Sequence, residues 1–207
     1  GIALSLASFV AGCGSTGGTE TDASTVDGGS DAGSCVAVSK GAIEGSVEVP
    51  GSCAIHVEGP PVLNQLHIPV GSPLDCHSSP PSSGPHYPVW ASYKTHTIPI
   101  APGYYVHNLE HGAIVFLYKC TEADGCPAVV SGLEAVAAGL AKDPKCIDPI
   151  RARTVIAPDP TLTTPVVALA WGFIYRADCV DAPSLNSFAT EHYGKGPEDL
   201  CANGQDF

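Results

Sequence analysis

The 207-residue sequence contains no methionine, and only 9 lysine and arginine residues stand against 21 aspartate and glutamate residues. Nucleic-acid and anionic-membrane surfaces need basic patches, so the formal charge of −12 argues against both kinds of partner. The missing methionine weighs against a soft copper(I) site. No CxxC, Gly-x-Ser-x-Gly, P-loop or dinucleotide fingerprint is present, so several common enzyme and cofactor classes lack their signals. What remains is a globular composition that is 44% hydrophobic.

The first apolar run, GIALSLASFVAGC, is too short to span a bilayer. It resembles the tail of a bacterial lipoprotein signal, with VAGC as the lipobox, although a short buried helix is the alternative interpretation. The resemblance implies that residues 1–12 are part of a signal and that Cys13 becomes a lipid-bearing first residue. A membrane is then the expected partner, through a diacyl anchor. By analogy with Gram-negative lipoproteins, Gly14 favours the outer membrane or cell surface over the inner membrane.

Residues 13–34 combine this cysteine with a Gly/Ser/Thr/Asp tract that is too polar to fold, so we predict a flexible tether there. A disulfide-rich globular domain is predicted over residues 35–207. It contains eight cysteines: Cys35, Cys53, Cys76, Cys120, Cys126, Cys146, Cys179 and Cys201. An even number in an exported domain indicates up to four disulfides, with about 105 pairings open. Local pairs such as Cys35 with Cys53 and Cys179 with Cys201 are among the candidates.

The patterns along the domain predict an α+β fold with a small mixed or antiparallel sheet and two helices. AIEGSVEV and CAIHVE form a predicted hairpin, and residues 59–103 form a long, ordered, proline-rich loop. AIVFLYKC, RTVIAP and PVVALAWGFIYRA each predict one strand. SGLEAVAAGLAKD predicts a helix opened by a capping box of Ser131 and Glu134, and SLNSFATEHYG predicts a closing helix.

Eight histidines are many for so few charged residues, and several of them cluster. The segment SGPHYP holds His86 on a proline-braced loop, while HNLEH offers His107 and His111 from one helical turn. Three imidazoles with an open fourth position suit zinc or copper(II). The alternative is a buried polar network that fixes the loop to the sheet. His56, His96 and His192 are interpreted as structural, and His77, next to a cysteine, is intermediate.

HNLEH also satisfies the HxxEH pattern of inverted zinc metallopeptidases, in which Glu110 would be the general base. That motif lies within a long helix, whereas here Gly112 follows at once and a predicted strand begins. The context therefore argues against a peptidase.

Four segments taken in order, HIPVGSPLDCHSSPPSSGPHYP, VHNLEHGAIVFLY, VALAWG and FATEHYGKGPE, resemble domain-of-unknown-function family 3105 over about residues 67–198. The resemblance implies that the pattern is carried by His67, His86, His107, Glu110 and His111. It adds His67 as a fourth candidate nitrogen. Ser82 stands where threonine is usual and WASY where a Trp-Gly-x-Tyr-like segment is usual, which leaves the path of the loop open. A shared site is implied more than a named reaction.

We therefore expect a lipid-anchored extracytoplasmic protein with a divalent metal site, zinc or copper, made by His86, His107 and His111, with His67 as a further ligand. Glu110 would orient a ligand or, if a water is bound, act as a base. A non-catalytic surface lipoprotein with a structural His/Pro loop and a metal-dependent hydrolase remain the alternatives. The sequence names no protein partner.

Overall fold

The computed structural model describes residues 53–122 and 125–207, together with the backbone of two earlier strands. The strands are β1 Val36–Ala37, β2 Glu44–Ser46, β3 Ile55–Glu58, β4 Asp75–Cys76, β5 Ile114–Tyr118, β6 Thr154–Pro158, β7 Val166–Ala170 and β8 Phe173–Ala177. The helices are α1 Pro102–Glu110, α2 Pro127–Gly139 and α3 Ala182–His192. The predicted signal, the lipidated Cys13 and the tether lie outside the described residues.

Six strands form a mixed sheet in the order β2-β3-β8-β7-β5-β6. Its neighbours pair antiparallel except for β5 and β6, which run parallel. The predicted hairpin is present, because β2 pairs with β3 and places Ser46 opposite His56. A separate two-stranded parallel sheet joins β1 to β4. The α+β fold class predicted from the sequence is confirmed.

Both faces of the sheet are covered, and successive residues of β5 contribute to different faces, as the alternation of a strand requires. On one face Phe116 joins an apolar cluster with Leu133 of α2 and Leu185 of α3. On the other face Val115 joins an apolar cluster with Leu109 of α1. Burial on both faces explains why β5 and β7 are entirely apolar in sequence.

Three of the predicted element boundaries are wrong. The described residues form three helices rather than the two predicted, because α1 begins at Pro102, inside the segment predicted as loop. Helix α2 begins at Pro127, so the Ser131 hydroxyl donates to the Ala128 carbonyl instead of capping the helix. The single strand predicted over PVVALAWGFIYRA is two strands, β7 and β8, which turn at Gly172 with φ +77°.

The physical reason for the last error is that both strands are buried and apolar, so no polar residue marks their boundary. A single glycine is the only local signal of the turn, and its left-handed backbone conformation is one that other residues rarely adopt. The long proline-rich loop is otherwise present, interrupted by β4.

Where both cysteines lie in the described residues, disulfides join Cys53 to Cys179, Cys120 to Cys126 and Cys146 to Cys201. Pairing Cys35 with Cys53 and Cys179 with Cys201 was therefore wrong. The reason is sheet register, because β3 and β8 pair with Ile55 opposite Ala177, which brings Cys53 and Cys179 together at the end of that ladder.

Within the described residues, no helix is both long enough and apolar enough to cross a bilayer.

Candidate metal centre

The centre of the site is the last turn of α1, where polar residues are buried in succession. His107, Asn108, Glu110 and His111 are each 3% exposed or less. Burying this many polar groups is costly unless each one finds a partner. Each side chain of the turn has a contact, and together these contacts bind the turn to the proline-rich loop and to the C-terminal segment.

Asn108 attaches the loop to the helix. Its Oδ1 accepts a hydrogen bond from the Ala91 amide at 3.0 Å, and its Nδ2 donates to the Ala91 carbonyl at 2.8 Å. An asparagine side chain can satisfy both backbone groups of one residue in this way, which an aspartate cannot do. Asn108 therefore orders the loop beside the site.

A short backbone pairing inside the loop brings His67 beside His86. The Ile68 amide donates to the His86 carbonyl at 2.8 Å, and the His86 amide donates to the Leu66 carbonyl at 3.0 Å. The two histidine rings consequently lie 4.9 Å apart, centroid to centroid. His86 is fully buried, whereas the side chain of His67 is 49% exposed and forms the solvent side of the cluster.

Three histidine nitrogens converge on one carboxylate oxygen. The Nε2 atoms of His86, His67 and His107 lie 2.9, 3.7 and 3.9 Å from Oε2 of Glu110. One ligand atom from each of these four residues lies within 4.8 Å of the others, so the group could hold a metal ion. Two ligands of a tetrahedral zinc, each about 2.0–2.1 Å from the ion, lie roughly 3.3 Å apart. The observed separations are of that size.

The other nitrogens of the two buried rings are occupied by the backbone. Nδ1 of His86 donates to the Gly84 carbonyl at 2.8 Å, and Nδ1 of His107 donates to the Tyr87 carbonyl at 2.6 Å. A neutral imidazole carries one proton, so a donating Nδ1 leaves Nε2 with a free lone pair. Backbone carbonyls commonly orient metal-binding histidines in this manner.

Burial sets the protonation of the cluster. It lowers the pKa of His86 and of His107 below the usual histidine range, despite the opposing effect of the hydrogen bonds to the backbone. It also raises the pKa of Glu110, and repulsion from Glu198 adds to that effect while His107 opposes it. The imidazoles of His86 and His107 are therefore neutral near pH 7, which is the form that binds metals.

His111 lies beside this group rather than in it. Its Nε2 is 3.1 Å from Nε2 of His107 and 3.4 Å from Oε2 of Glu198. Burial, with repulsion from His107, His86 and Arg153, lowers the pKa of His111 to about 4. Together with Glu110 and Glu198 it forms a second group of atoms that could hold a metal ion.

The structure thus places His67, His86, His107 and Glu110 in one group and puts His111 in another. Helical spacing predicts that His111 shares a group with His86 and His107, because residues four apart share a helix face. It gave Glu110 a supporting role, whereas the geometry puts this carboxylate at the centre of the cluster. The remaining histidines lie elsewhere: His56 lies on β3, Nε2 of His96 donates to the Ser92 carbonyl, His192 stacks on Phe173, and His77 is exposed.

Three contributors were missed. Glu198 lies in the KGPE segment, for which no role was assigned. The Trp90 ring packs 4.8 Å from His107 and 4.6 Å from His111, centroid to centroid. Arg153 is buried, pairs with Asp143, and donates to the His111 carbonyl. Arg153 and Trp90 are distant in sequence from HNLEH, and only the fold brings them to it.

A third group that could hold a metal ion, Cys53, Asp178 and Cys179, is a weaker candidate. Its two sulfurs are joined to each other in a disulfide, and a metal binds the thiolate form of cysteine.

The sequence profile of the family described as "Protein of unknown function (DUF3105)" matches residues 67–204. No curated protein and no solved structure matches this chain. The matched segment begins at His67 and includes every histidine of the cluster, Glu110 and Glu198. It also covers α1 to α3 and strands β4 to β8. On the strength of this match over most of the folded region, the chain belongs to the DUF3105 family.

Proposed function

We propose that this protein binds one divalent metal ion, zinc or copper(II), through His67, His86, His107 and Glu110. The observation that carries the proposal is the convergence of three Nε2 atoms within 3.9 Å of a single carboxylate oxygen. Imidazole nitrogens suit both metals, and a mixed set of nitrogens and one carboxylate is common at zinc.

The electrostatics of the cluster support a bound cation. Glu110 is 3% exposed, and its ion pairs among the described residues are all with histidines. Burial lowers the pKa of His86 and of His107, so an ionised Glu110 gains no permanent positive partner from these two buried rings. A divalent ion would supply one and would favour the ionised carboxylate.

Access and rigidity also fit a binding site. The half-exposed His67 leaves a route from solvent to the cluster, while His86 and His107 are held by backbone hydrogen bonds. An ion could therefore enter past His67 and meet ligands that need little reorganisation.

The alternative is a purely structural network, and the hydrogen bond between His86 Nε2 and Glu110 Oε2 at 2.9 Å favours it. A hydrolase is less well supported, because Glu110 lies among the candidate ligands rather than at a distance where it could activate a metal-bound water.

Metal analysis tests the proposal. We expect purified protein, stripped with chelator and incubated with one equivalent of zinc, to retain one zinc through gel filtration. His86→Gln and His107→Gln should lose it, whereas His192→Gln, which alters a histidine outside the cluster, should not. Absence of retained zinc and copper in the wild type, or retention unchanged in both cluster variants, would support the structural network instead.

Tryptophan fluorescence distinguishes the two metals, because Trp90 and Trp171 are the only tryptophans and both lie near the cluster. Bound copper(II) should quench their emission strongly, whereas zinc, which has a filled d shell, should not. Trp90→Phe should leave Trp171 to report copper alone, and Trp90→Phe combined with Trp171→Phe should remove the copper response.

We also propose that the protein is anchored to the bacterial envelope by lipid at Cys13, with the outer membrane or cell surface as its location. The lipobox-like VAGC and the polar tract that follows support this proposal. Expressed in bacteria behind a complete signal segment, the protein should fractionate with membranes and carry acyl chains by mass spectrometry. Cys13→Ser should abolish acylation, and an unacylated wild-type protein would refute the anchor.

A further inference from the structure

Glu110 belongs to both groups of atoms that could hold a metal ion. One group is His67, His86, His107 and Glu110, and the other is Glu110, His111 and Glu198. A carboxylate has two oxygens and can bridge two ions, as carboxylates do in two-metal enzymes. The shared residue is therefore the feature that links the two groups.

A single ion does not account for the second group. His111 is 1% exposed, and its Nε2 faces Nε2 of His107 at 3.1 Å and Oε2 of Glu198 at 3.4 Å. Among the described residues, Nδ1 of His111 is buried and has no hydrogen-bond partner. Without a metal, Nε2 carries the proton and faces the acceptors on His107 and Glu198; a cation held by Glu198 would displace that proton to the unpartnered Nδ1 and bind Nε2.

The backbone holds Glu198 in this position. Its amide donates to the Glu110 carbonyl at 2.9 Å, and the Gly194 amide donates to the Gly112 carbonyl at 2.8 Å. Gly196 packs so closely on the end of α1 that a Cβ there would lie 2.2 Å from the Glu110 carbonyl oxygen. Residues 194–198 are thus fastened to the last turn of the helix, which sets Glu198 beside His111.

The charge distribution around the second group is negative. Arg153 contacts this turn, but its guanidinium pairs with Asp143 and Asp199 and donates to the His111 carbonyl. Glu198 is 55% exposed, so the group opens to solvent on its side. Two carboxylates and one imidazole with an open side make a site for a divalent cation that keeps bound water.

We propose that the cluster is dinuclear, with a second divalent ion held by His111 and Glu198 and bridged by Glu110 to the ion of the first group. This inference rests on the proposed function. The second site has three protein ligands, one of them half-exposed, so it binds more weakly than the first. Two-metal sites separate their ions by about 3.5–4 Å. A carboxylate of Glu110 shared between the groups is compatible with a separation of this order.

Calorimetric titration of metal-free protein with zinc tests the proposal. We expect two zinc ions per chain, the second at least about tenfold weaker than the first. Glu198→Ala and Glu198→Gln should each bind one ion, with the tight site changed by less than about tenfold, because the packing of this segment is made by backbone atoms. Glu191→Gln, at an exposed glutamate of α3, should still bind two.

The outcomes separate the two proposals. A wild type that binds no metal removes the proposed function and this inference together. One zinc in the wild type, or two in both Glu198 variants, leaves the first site standing and overturns the second. Copper(II) adds an independent arm: two bridged ions should couple and lose electron paramagnetic resonance intensity, which Glu198→Ala should restore. Two additive, uncoupled signals would contradict the bridge.

Discussion

The two faces of the sheet bury very different chemistry. The face covered by α2 and α3 is an apolar cluster that includes Phe116, Leu133 and Leu185. The face covered by α1 has an apolar floor, but the end of its helix buries His107, Glu110 and two further polar side chains. Apolar burial stabilises a fold with little regard to function, whereas a buried polar turn contributes little net stability. The contrast indicates that one face maintains the fold and the other carries the candidate metal site.

The largest expected effect is the loss of stability caused by a cavity on the apolar face. Leu133→Ala removes a fully buried side chain of α2 and should lower the free energy of unfolding by about 3 kcal/mol or more. Urea denaturation of the metal-free protein with disulfides intact measures this loss. Zinc affinity of the folded variant should stay within about threefold of the wild type, since no cluster residue is touched.

On the α1 face we expect a substitution to weaken zinc binding strongly and to change stability little. His86→Gln removes a proposed ligand and should weaken zinc binding about 100-fold, or roughly 2.7 kcal/mol. The free energy of unfolding without metal should change by no more than about 1–2 kcal/mol, because the lost hydrogen bonds are few.

His96→Gln is the matched control, because this buried histidine bonds the Ser92 carbonyl away from the cluster. It should leave zinc affinity unchanged. Equal losses of affinity in the two variants would mean that His86 acts through folding rather than as a ligand.

Asn108 should affect both the stability of the fold and the affinity for zinc. Asn108→Ala leaves the Ala91 amide and carbonyl without their partner and should cost about 1–3 kcal/mol of stability. Because the loop that it holds also carries His86, zinc affinity should fall as well, by about tenfold. Asn108→Asp keeps only the hydrogen-bond acceptor, so its stability and its zinc affinity should lie between those of the wild type and those of Asn108→Ala. A stability loss with unchanged affinity would show that the site does not depend on this attachment.

The smallest effect is on the pH dependence of the metal-free protein. The folded pKa of His111, about 4, lies below its ordinary value of 6.5, so the unfolded chain takes up the proton first as pH falls. The stabilising contribution is complete above about pH 6.5 and is lost as pH falls toward 4. Its slope cannot exceed about 1.4 kcal/mol per pH unit.

Urea denaturation at pH 7, 6 and 5 measures that slope. His111→Gln should flatten it, whereas His77→Gln, at an exposed histidine, should not change it. An equal slope in the wild type and in His111→Gln would contradict this assignment.

The sequence predicts the elements that have local signals and misses the features that depend on packing between distant segments. Strands β5 and β6 and helix α3 follow from apolar periodicity and end signals, and the α+β class follows from their order. The turn at Gly172 was missed, because β7 and β8 are both buried and their apolar residues run on without a polar break. The disulfides were mispaired, because Cys53 and Cys179 meet through strand register, which local spacing does not encode.

For the site, the resemblance supplied His67 and the motif supplied His86, His107 and His111. The sequence could not show which of these histidines belong to the same group of candidate ligands. Helical spacing groups His107 with His111, but the direction of each ring is set by distant contacts, such as the Tyr87 carbonyl on His107. The central place of Glu110 and the approach of Glu198 depend on how the loop and the C-terminal segment pack on α1.

The central claim is that three histidines and one glutamate form a metal centre. The most direct test is an anomalous difference map at the zinc edge from crystals of zinc-loaded protein. We predict a peak about 2.0–2.2 Å from Nε2 of His67, His86 and His107 and from a carboxylate oxygen of Glu110. A map with no peak at this cluster, or with zinc only on surface residues elsewhere, would contradict the account.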